Sequence, residues 1–425
     1  MAALFIELMK VNKTKICIVG AGPGGAATAL KLSHLGIPSM LIDKAVFPRE
    51  KTCGDALSGK VPVLLNRMDP SMMDRFIAKK VQTGIWGIKF VAPNNKEIDI
   101  PFQDRTDENF IPAPGYVAKR VDFDNFLIEE VQRRDDIDLH LHTEIVSFEK
   151  TGAGYLLKDK TGKFAIETNL LIVADGAHSR FSRQIAGLEK DPAHHAGSVR
   201  AYFKNVAGTA GSDLIELHFI KDIIPGYFWI FPLPGNEANV GIGMRSDFVK
   251  KNNINLRKSF EKVIKTHPVL KERFKNAEQI SPVQGYGLPL GSKKRAISGE
   301  HYMLVGDAGH LIDPLTGEGV GNAIYSGIIA AEQAQKCIAT GNYTAETLKA
   351  YDVRVARVLG SEMKLSYRLQ KMLAHTKLVN FLANFIVNNP KLIKLISRMY
   401  TDFELRKQLV NPIFWGKVIL SRRTN

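Results

Sequence analysis

The sequence predicts an α/β protein: a Rossmann-like dinucleotide-binding domain with an inserted, mostly antiparallel β-sheet domain and a helical C-terminal region. Three observations carry this. An early strand–glycine loop–helix–strand unit spans Lys15 to Asp43. A second strand–loop–helix joint runs from Tyr302 through Gly306-Asp307 to the helix opened by Gly317, Gly319 and Gly321. Between them, Gly84–Phe102 and Gly197–Met244 alternate with the period of two that marks half-buried strands.

The early unit begins with the apolar strand Lys15–Val19, in which Cys17 reads as a small core residue. Gly20-Ala21-Gly22-Pro23-Gly24-Gly25 follows, then a small-residue helix from Ala26 to Leu35, a stop at Gly36 and Pro38, and the strand Ser39–Ile42. A lone G-x-G-x-x-G is a weak signal. Here a strand precedes it, a helix follows it, and Asp43 stands about twenty residues on, where an acid meets a ribose hydroxyl. Gly20, Gly22, Pro23 and Gly25 are therefore candidates to cradle a pyrophosphate at a helix start, with Asp43 and Lys44 beside the ribose.

The loop Phe47–Asp55 comes next, with Lys51, Cys53 and Gly54, and it feeds a helix-like stretch Ala56–Leu65. A thiol at a helix start is partly activated by the dipole; the other reading of Cys53 is a buried structural thiol. Gly84–Phe102 turns at Pro93-Asn94-Asn95, breaks the βαβ rhythm and belongs to another sheet. Tyr116–Phe123 leads into a helix Asp122–Arg133, and Arg120 before it either holds phosphate or ribityl groups or is a solvated charge. Leu139–Asp159 and Lys163–Thr168 read as a meander, and Leu170–Ala174 as a buried parallel strand ending on Asp175-Gly176. His194 and His195 sit in a polar loop without the carboxylate or cysteine neighbours a metal site needs.

In Tyr227-Phe228-Trp229-Ile230-Phe231-Pro232, Tyr227, Trp229 and Phe231 share one face of a strand, and Phe228 and Ile230 the other. Such an aromatic face is either core or the wall of an apolar pocket. Ser246–Ala277 is a charged amphipathic helical segment, and Ser281–Gly291 leads back to the second glycine joint. There, Gly306-Asp307 closes a strand and Pro314–Val320 precedes a helix whose free N–H groups favour an electron-rich ligand. A flavin dinucleotide offers both the hydroxylated chain that suits Asp307 and the ring edge that suits Gly317–Asn322. After Asn342 the chain reads as helices Glu346–Leu373, Leu378–Val387 and Lys391–Met399, the last two separated by Asn388-Asn389-Pro390. The boundaries expected are 1–80, 105–190 and 281–345 for the dinucleotide domain, 81–104 and 191–280 for the β domain, and 346–425 for the C-terminal region. No second strand–G-x-G-x-x-G–helix unit exists, so one resident dinucleotide is expected.

A chain of 425 residues is long enough for two or three such domains. Three cysteines offer no disulfide framework and suit a reducing compartment. No apolar run is long enough to span a bilayer, and Met1–Met9 lacks the basic start and cleavage site of a signal peptide. The net charge of +15 is concentrated: from Glu346 onward fifteen Lys and Arg face five Asp and Glu, two-thirds of the excess. That suits an anionic surface, and membrane is favoured over nucleic acid because no nucleic-acid module accompanies it.

Taken in order, Gly20–Gly25, Asp175-Gly176, Gly306-Asp307 and the Pro314–Gly319 turn resemble flavoproteins of the para-hydroxybenzoate hydroxylase fold, over roughly Lys13 to Ala339. Within that group the chain is similar to the geranylgeranyl reductase family. Lys51-Thr52-Cys53-Gly54-Asp55 looks like that family's K-x-C-G element beside the flavin ring, Tyr227–Pro232 like its Y-x-W-x-F-P element lining a prenyl tunnel, and Gly317-Glu318-Gly319 like its G-E-G at the flavin. Arg183 lies four residues after Ser179, where the hydroxylases place an arginine three after. Flavin-dependent halogenases share the fold but carry W-x-W-x-I-P, where this chain has Tyr227 and Phe231.

The resemblance implies FAD as cofactor, a prenyl-chain lipid as substrate, and reduction of isolated double bonds. It implies a transient electron donor, NADPH or a ferredoxin-like protein, and makes Tyr227, Trp229, Phe231 and Pro232 the tunnel wall. Cys53 and Gly54 become the catalytic candidates, with Cys53 either donating a proton or positioning the substrate; no metal is implied. Lys51, Arg120, Asp175, Gly306, Asp307, Pro314, Gly317, Gly319 and Val320 join the glycine loop and Asp43-Lys44 as FAD contacts. The location expected is cytoplasmic, with the basic C-terminal helices against an anionic membrane. The competing reading is a flavin-dependent monooxygenase or halogenase acting on an aromatic or apolar small molecule.

Overall fold

The computed structural model describes residues 10–102, 113–398, 403–411 and 413–415. Met1–Met9, Met399 and the basic Lys417, Arg422 and Arg423 lie outside the described residues.

The first sheet has eight strands. Its centre is parallel: Lys10–Val19 lies between Phe164–Val173 and Ser39–Ile42, with Cys17 opposite both Leu171 and Met40. Tyr302–Leu304 extends it on one side and Ile137–His140 on the other, both parallel. Helices cover such a sheet, which is why Ile16, Cys17, Ile18 and Leu170–Val173 form uninterrupted apolar runs with almost no exposure. The last strand of the expected meander, Lys163–Thr168, and the parallel strand expected after it are one ten-residue strand, Phe164–Val173, which also pairs antiparallel with Gly154–Asp159.

Helix Pro23–His34 packs on Val320–Thr340, so the two glycine joints of the sequence meet. The small residues make this possible. A Cβ on Gly327 would lie 2.5 Å from the Gly24 carbonyl oxygen, so the two backbones approach where only glycine fits.

The second sheet is mostly antiparallel, in the order Glu278–Gln279, His195–Lys204, Glu237–Arg245, Tyr227–Leu233, Leu214–His218, Gly87–Val91, Glu97–Pro101. Its one parallel pair joins Leu214–His218 to Gly87–Val91. Gln284–Pro289 pairs with His195–Lys204, so the β domain runs past residue 280 to Pro289. At its other boundary, Gly115–Ala118 pairs with Gln82–Ile85 on one side and Ala56–Leu57 on the other in a separate three-stranded sheet, so the insertion starts nearer Gly87.

Two local expectations change. Ala56–Leu57 is a strand and the helix starts only at Lys60, so Cys53 is not at a helix start and no helix dipole acts on it. The cause is Asp55, whose backbone is left-handed (φ 67°) and whose carboxylate is fixed by hydrogen bonds described below. The helix expected from Asp122 begins at Arg120.

The C-terminal region is not a separate unit. Helix Ala345–Leu373 places Leu348, Tyr351, Val355, Leu359 and Met363 in the main core, and the Tyr351 hydroxyl donates to the Leu304 carbonyl at 2.7 Å. Helix Thr376–Val387 sets Val379 and Ala383 against Ala92 and Ile98 of the β hairpin. Phe385 and Leu392, on the apolar faces of the C-terminal helices, are buried, while Phe381 remains 53% exposed. Burial of Val379 and Ala383 against the hairpin leaves a smaller apolar surface than the helical periodicity alone implies. Among the described residues, no helix is long and apolar enough to cross a membrane.

Candidate active site

One cavity of about 1160 Å³ runs between the first sheet, the second sheet and helix Ala345–Leu373. That exceeds the roughly 300–1,000 Å³ of an ordinary small-molecule site, leaving room for a dinucleotide and a second ligand.

At one end the G-x-G-x-x-G loop divides its labour. A Cβ on Gly20 (φ 102°) would lie 2.4 Å from the Ala174 oxygen, and one on Gly25 would lie 1.8 Å from the Gly20 oxygen. These two glycines allow the strand and helix to stack and do not line the cavity. Gly22, Pro23 and Gly24 do line it, and a Cβ on Gly22 would meet only an Arg49 nitrogen, at 3.5 Å. Asp43 anchors the loop by accepting from the amides of Ala21 (2.7 Å) and Ala45 (2.8 Å), and it faces the cavity beside Lys44. Asp175 closes the neighbouring strand on the same cavity.

Opposite stand Gly306, Asp307, Pro314, Gly317, Gly319 and Val320, all on the cavity wall. The turn is held by Asp313, whose Oδ1 accepts from the amides of Leu315 (2.9 Å) and Thr316 (2.8 Å). The Tyr227 hydroxyl donates to the Thr316 carbonyl at 2.6 Å, tying the aromatic strand to this loop. Gln370 of helix Ala345–Leu373 also donates to the Pro314 carbonyl.

Arg120 is 6% exposed, which rules out the solvated-charge reading. Its guanidinium forks onto Asp124 at 2.6 and 2.7 Å, and Arg49 reaches the same carboxylate at 3.0 Å. Arg49 Nη1 is buried without a hydrogen-bond partner. The bare backbone at Gly22, the N-terminus of the 21-residue helix Val320–Thr340 and this orphan donor suit a pyrophosphate-bearing flavin. Lys51 Nζ stands 3.2 Å from the centroid of the Tyr286 ring. Burial and nearby Arg120 push its pKa down to about 8.

The Cys53-Gly54-Asp55 loop is bolted to the aromatic face. Asn239 Nδ2 donates to the Cys53 carbonyl and to Asp55 Oδ2, both at 2.8 Å, and Asn239 Oδ1 accepts from Trp229 Nε1 at 2.8 Å. The Tyr202 hydroxyl donates to Asp55 Oδ2 at 2.7 Å. A Cβ on Gly54 would lie 3.5 Å from Phe231 and 3.8 Å from Trp229. Cys53 and Arg120 both line the cavity. The sequence reading missed Asn239 and Tyr202 and gave Asp55 no role. A signal was present in Asn239, the one polar side chain in Ala238–Met244.

Burial raises the Asp55 pKa to about 6, against the pull of the Tyr202 and Asn239 hydrogen bonds. A raised folded pKa makes a stabilising contribution that is full below the unfolded value near 4 and is lost as pH rises through about 6. About two pH units correspond to about 3 kcal/mol. Urea unfolding should therefore show the wild type losing roughly that much stability relative to Asp55→Asn between about pH 4 and pH 7; a pH-independent difference would contradict it.

Beyond this loop the wall is apolar. Tyr227, Trp229 and Phe231 line it, while Phe228 and Ile230 pack on the other face against Phe260 and Phe274. The Trp229 indole lies on Gly241, where a Cβ would come within 2.2 Å of it. Pro232 has the parity of Phe228 and Ile230 and does not line the cavity, so the structure does not place it with the other aromatic-strand candidates. The wall continues through Ile88, Phe90, Leu217 and Phe219 to Leu373 and Ile396 of the C-terminal helices.

Comparison with known proteins agrees with this architecture. The FAD-binding domain family matches residues 13–359. A digeranylgeranylglycerophospholipid reductase of Methanococcus vannielii is 30% identical over 365 residues, 84% of this chain and 87% of the relative. The chain belongs to the geranylgeranyl reductase family of FAD-dependent oxidoreductases. Its fold matches that of a geranylgeranyl bacteriochlorophyll reductase-like protein from Thermoplasma acidophilum, with a TM-score of 0.79 and 23% identity, covering 94% of this chain and 99% of that one. A flavin-dependent brominase shares the fold at a TM-score of 0.72 and 20% identity, covering 97% and 100%. In this geranylgeranyl reductase family member FAD is the cofactor, and the chemistry of the glycine-lined end of the cavity suits it.

Proposed function

We propose that the protein reduces isolated C=C bonds of a prenyl-chain lipid. The supporting observation is the continuous apolar wall that starts at Trp229 and Phe231, against the Cys53-Gly54 loop, and runs to the C-terminal helices. Gly22, Pro23, Asp43, Lys44, Lys51, Arg120, Asp175, Asp307 and the Pro314–Val320 turn are the proposed FAD contacts, with Gly20, Gly25 and Gly306 shaping their backbone.

An isolated trisubstituted alkene has no carbonyl to polarise it, so acid–base activation has little to grip. The chain's task is to hold the alkene flat, exclude water and present a proton. Bound FAD, once reduced by an electron donor such as NADPH or a ferredoxin-like protein, supplies the hydride. Trp229 and Phe231 hold the alkene; the hydrogen bond from Trp229 to Asn239, which also grips the Cys53 carbonyl, keeps the two sides in register. Cys53 Sγ delivers the proton to the second alkene carbon, completing addition of two hydrogens. Lys51, with its lowered pKa, lines the same cavity and is the group proposed to return one.

Cys53→Ala should keep FAD bound and slow single-turnover alkene reduction by roughly tenfold to a thousandfold, the scale of a lost proton donor. An unchanged rate removes Cys53 from the proton path. The rival oxygenase or halogenase reading predicts that turnover stops without oxygen; the reductase reading predicts that it continues.

Peripheral contact with an anionic membrane is part of the same proposal. Phe381 is exposed on the outer side of Thr376–Val387, with the exposed Lys377 on the same helix. Each lysine near an anionic surface contributes roughly 1 kcal/mol, and salt screens it. Binding to anionic vesicles should fall as salt rises and fall again in Phe381→Ser; vesicles ignored at low salt would refute the contact.

A further inference from the structure

We infer that the short C-terminal segment Phe403–Val410 is a gate over the cavity, latched shut by the ion pair of Arg406 with Glu362. This rests on the prenyl-chain reading for what passes through the gate, and adds to it how the chain gets in.

The segment is a thin cover. It is one α-helical turn, Phe403–Arg406, continued by a 3-10 turn, Lys407–Val410. Arg406 and Leu409, three residues apart and so on one face, line the cavity, while Lys407 between them is exposed. A single turn of chain therefore separates the cavity from the outside here. None of the described side chains from Leu405 to Trp415 is fully buried. Helix Ala345–Leu373, on which Lys407–Val410 packs, differs: it lines the same cavity with Leu365 and Leu369 but is anchored in the main core through Tyr351, Val355 and Leu359. Elements with few buried contacts are the ones that open first.

The latch has a fixed half and a removable half. Glu362 is held from the core side: its Oε2 accepts from Lys60 Nζ at 2.6 Å, and Lys60 also donates to Asn322 Oδ1 at 2.9 Å. Asn322 is 1% exposed and itself donates to the carbonyls of Leu311 (2.9 Å) and Glu318 (3.2 Å). Arg406 Nη1 meets the other Glu362 oxygen at 2.9 Å. When Arg406 swings away, Glu362 keeps Lys60. Opening thus costs one ion pair and leaves no carboxylate without a cation, the outcome that would make it prohibitive. The two side chains of that pair are 26% and 24% exposed, so it holds better than a surface pair yet remains breakable. A water-insoluble chain needs such a device: the cavity must be dry during reaction and open for entry.

The test is stopped-flow mixing of the FAD-loaded full chain with a prenyl probe, geranylgeranyl phosphate, followed by bound-flavin fluorescence. With an open state populated at about 1–10%, breaking the latch should raise association and dissociation rates together, roughly tenfold or more, while Kd stays within about twofold. Arg406→Gln should show this, and Arg406→Lys, which keeps the cation, should stay near the wild type. Amide exchange of residues 405–411 should quicken in Arg406→Gln, while that of residues 351–363 should not. Retained flavin absorbance shows that each variant is folded; if Arg406→Gln loses flavin, Glu362→Gln takes its place and should give the same paired rise. Faster dissociation with unchanged association overturns the inference, because the segment then merely touches the ligand. So do unchanged rates, or an Arg406→Lys protein that behaves like Arg406→Gln. If the probe binds none of these proteins, wild type included, the prenyl-chain reading itself fails; binding at rates indifferent to the latch refutes only the gate.

Discussion

Gly22→Val should give a folded protein that purifies without its yellow colour. Gly22 has φ −69° and ψ −177°, extended backbone that valine adopts without strain. Its Cβ would project into the cavity, with Arg49 Nη2 at 3.5 Å as its sole neighbour within 4 Å. The protein alone therefore has little reason to object, and the cost falls on whatever approaches that backbone. A rigid pyrophosphate pressed against a new side chain meets an overpacking penalty of about 1–3 kcal/mol or more. FAD affinity should fall by about a hundredfold, and added FAD should no longer raise the melting temperature. Gly25→Ala is the contrast. Its Cβ would sit 1.8 Å from the Gly20 oxygen, so that variant should lose stability itself. A fully flavin-loaded Gly22→Val protein would show that the dinucleotide does not run past this loop.

Trp229→Ala should retain FAD but lose about a hundredfold in kcat/KM for alkene reduction. The indole covers Gly241, meets Tyr227 edgewise and Phe231 at a tilt, each with centroids 6.1 Å away, and satisfies Asn239. Its removal opens a cavity costing about 3–5 kcal/mol and leaves Asn239 Oδ1 without its donor. Asn239 also holds the Cys53 carbonyl, so the loss loosens the reacting geometry on both sides, and misplacement of about 1 Å can cost a hundredfold. Trp229→Phe should recover much of the stability, since the ring remains, but not the grip on Asn239. If Trp229→Ala reduces the alkene at the wild-type rate, the aromatic face is plain core.

What the sequence made legible were features governed by local chemistry. Glycine spacing and apolar runs placed the dinucleotide loop, and period-two alternation separated Tyr227, Trp229 and Phe231 from Phe228 and Ile230. Less legible was whatever depends on distant partners. The stretch after Asp55 resembles a helix start, yet Tyr202 and Asn239, some 147 and 184 residues on, hold Asp55 in a left-handed turn that delays the helix to Lys60. The C-terminal helices show an amphipathic face, but periodicity cannot say whether membrane or protein covers it; Ala92 and Ile98 of the hairpin cover Val379 and Ala383. Pro232 shared a motif with Phe231, but strand parity turned it away from the cavity.

The most direct test is an anaerobic reaction of the FAD-loaded protein with geranylgeranyl phosphate and a chemical reductant, followed by mass spectrometry of the lipid. Prenyl reduction predicts product heavier by two hydrogens for each double bond reduced, formed without oxygen and absent in Gly22→Val. A lipid of unchanged mass beside a flavin that reduces fully, or turnover that appears only when oxygen is admitted, would contradict it.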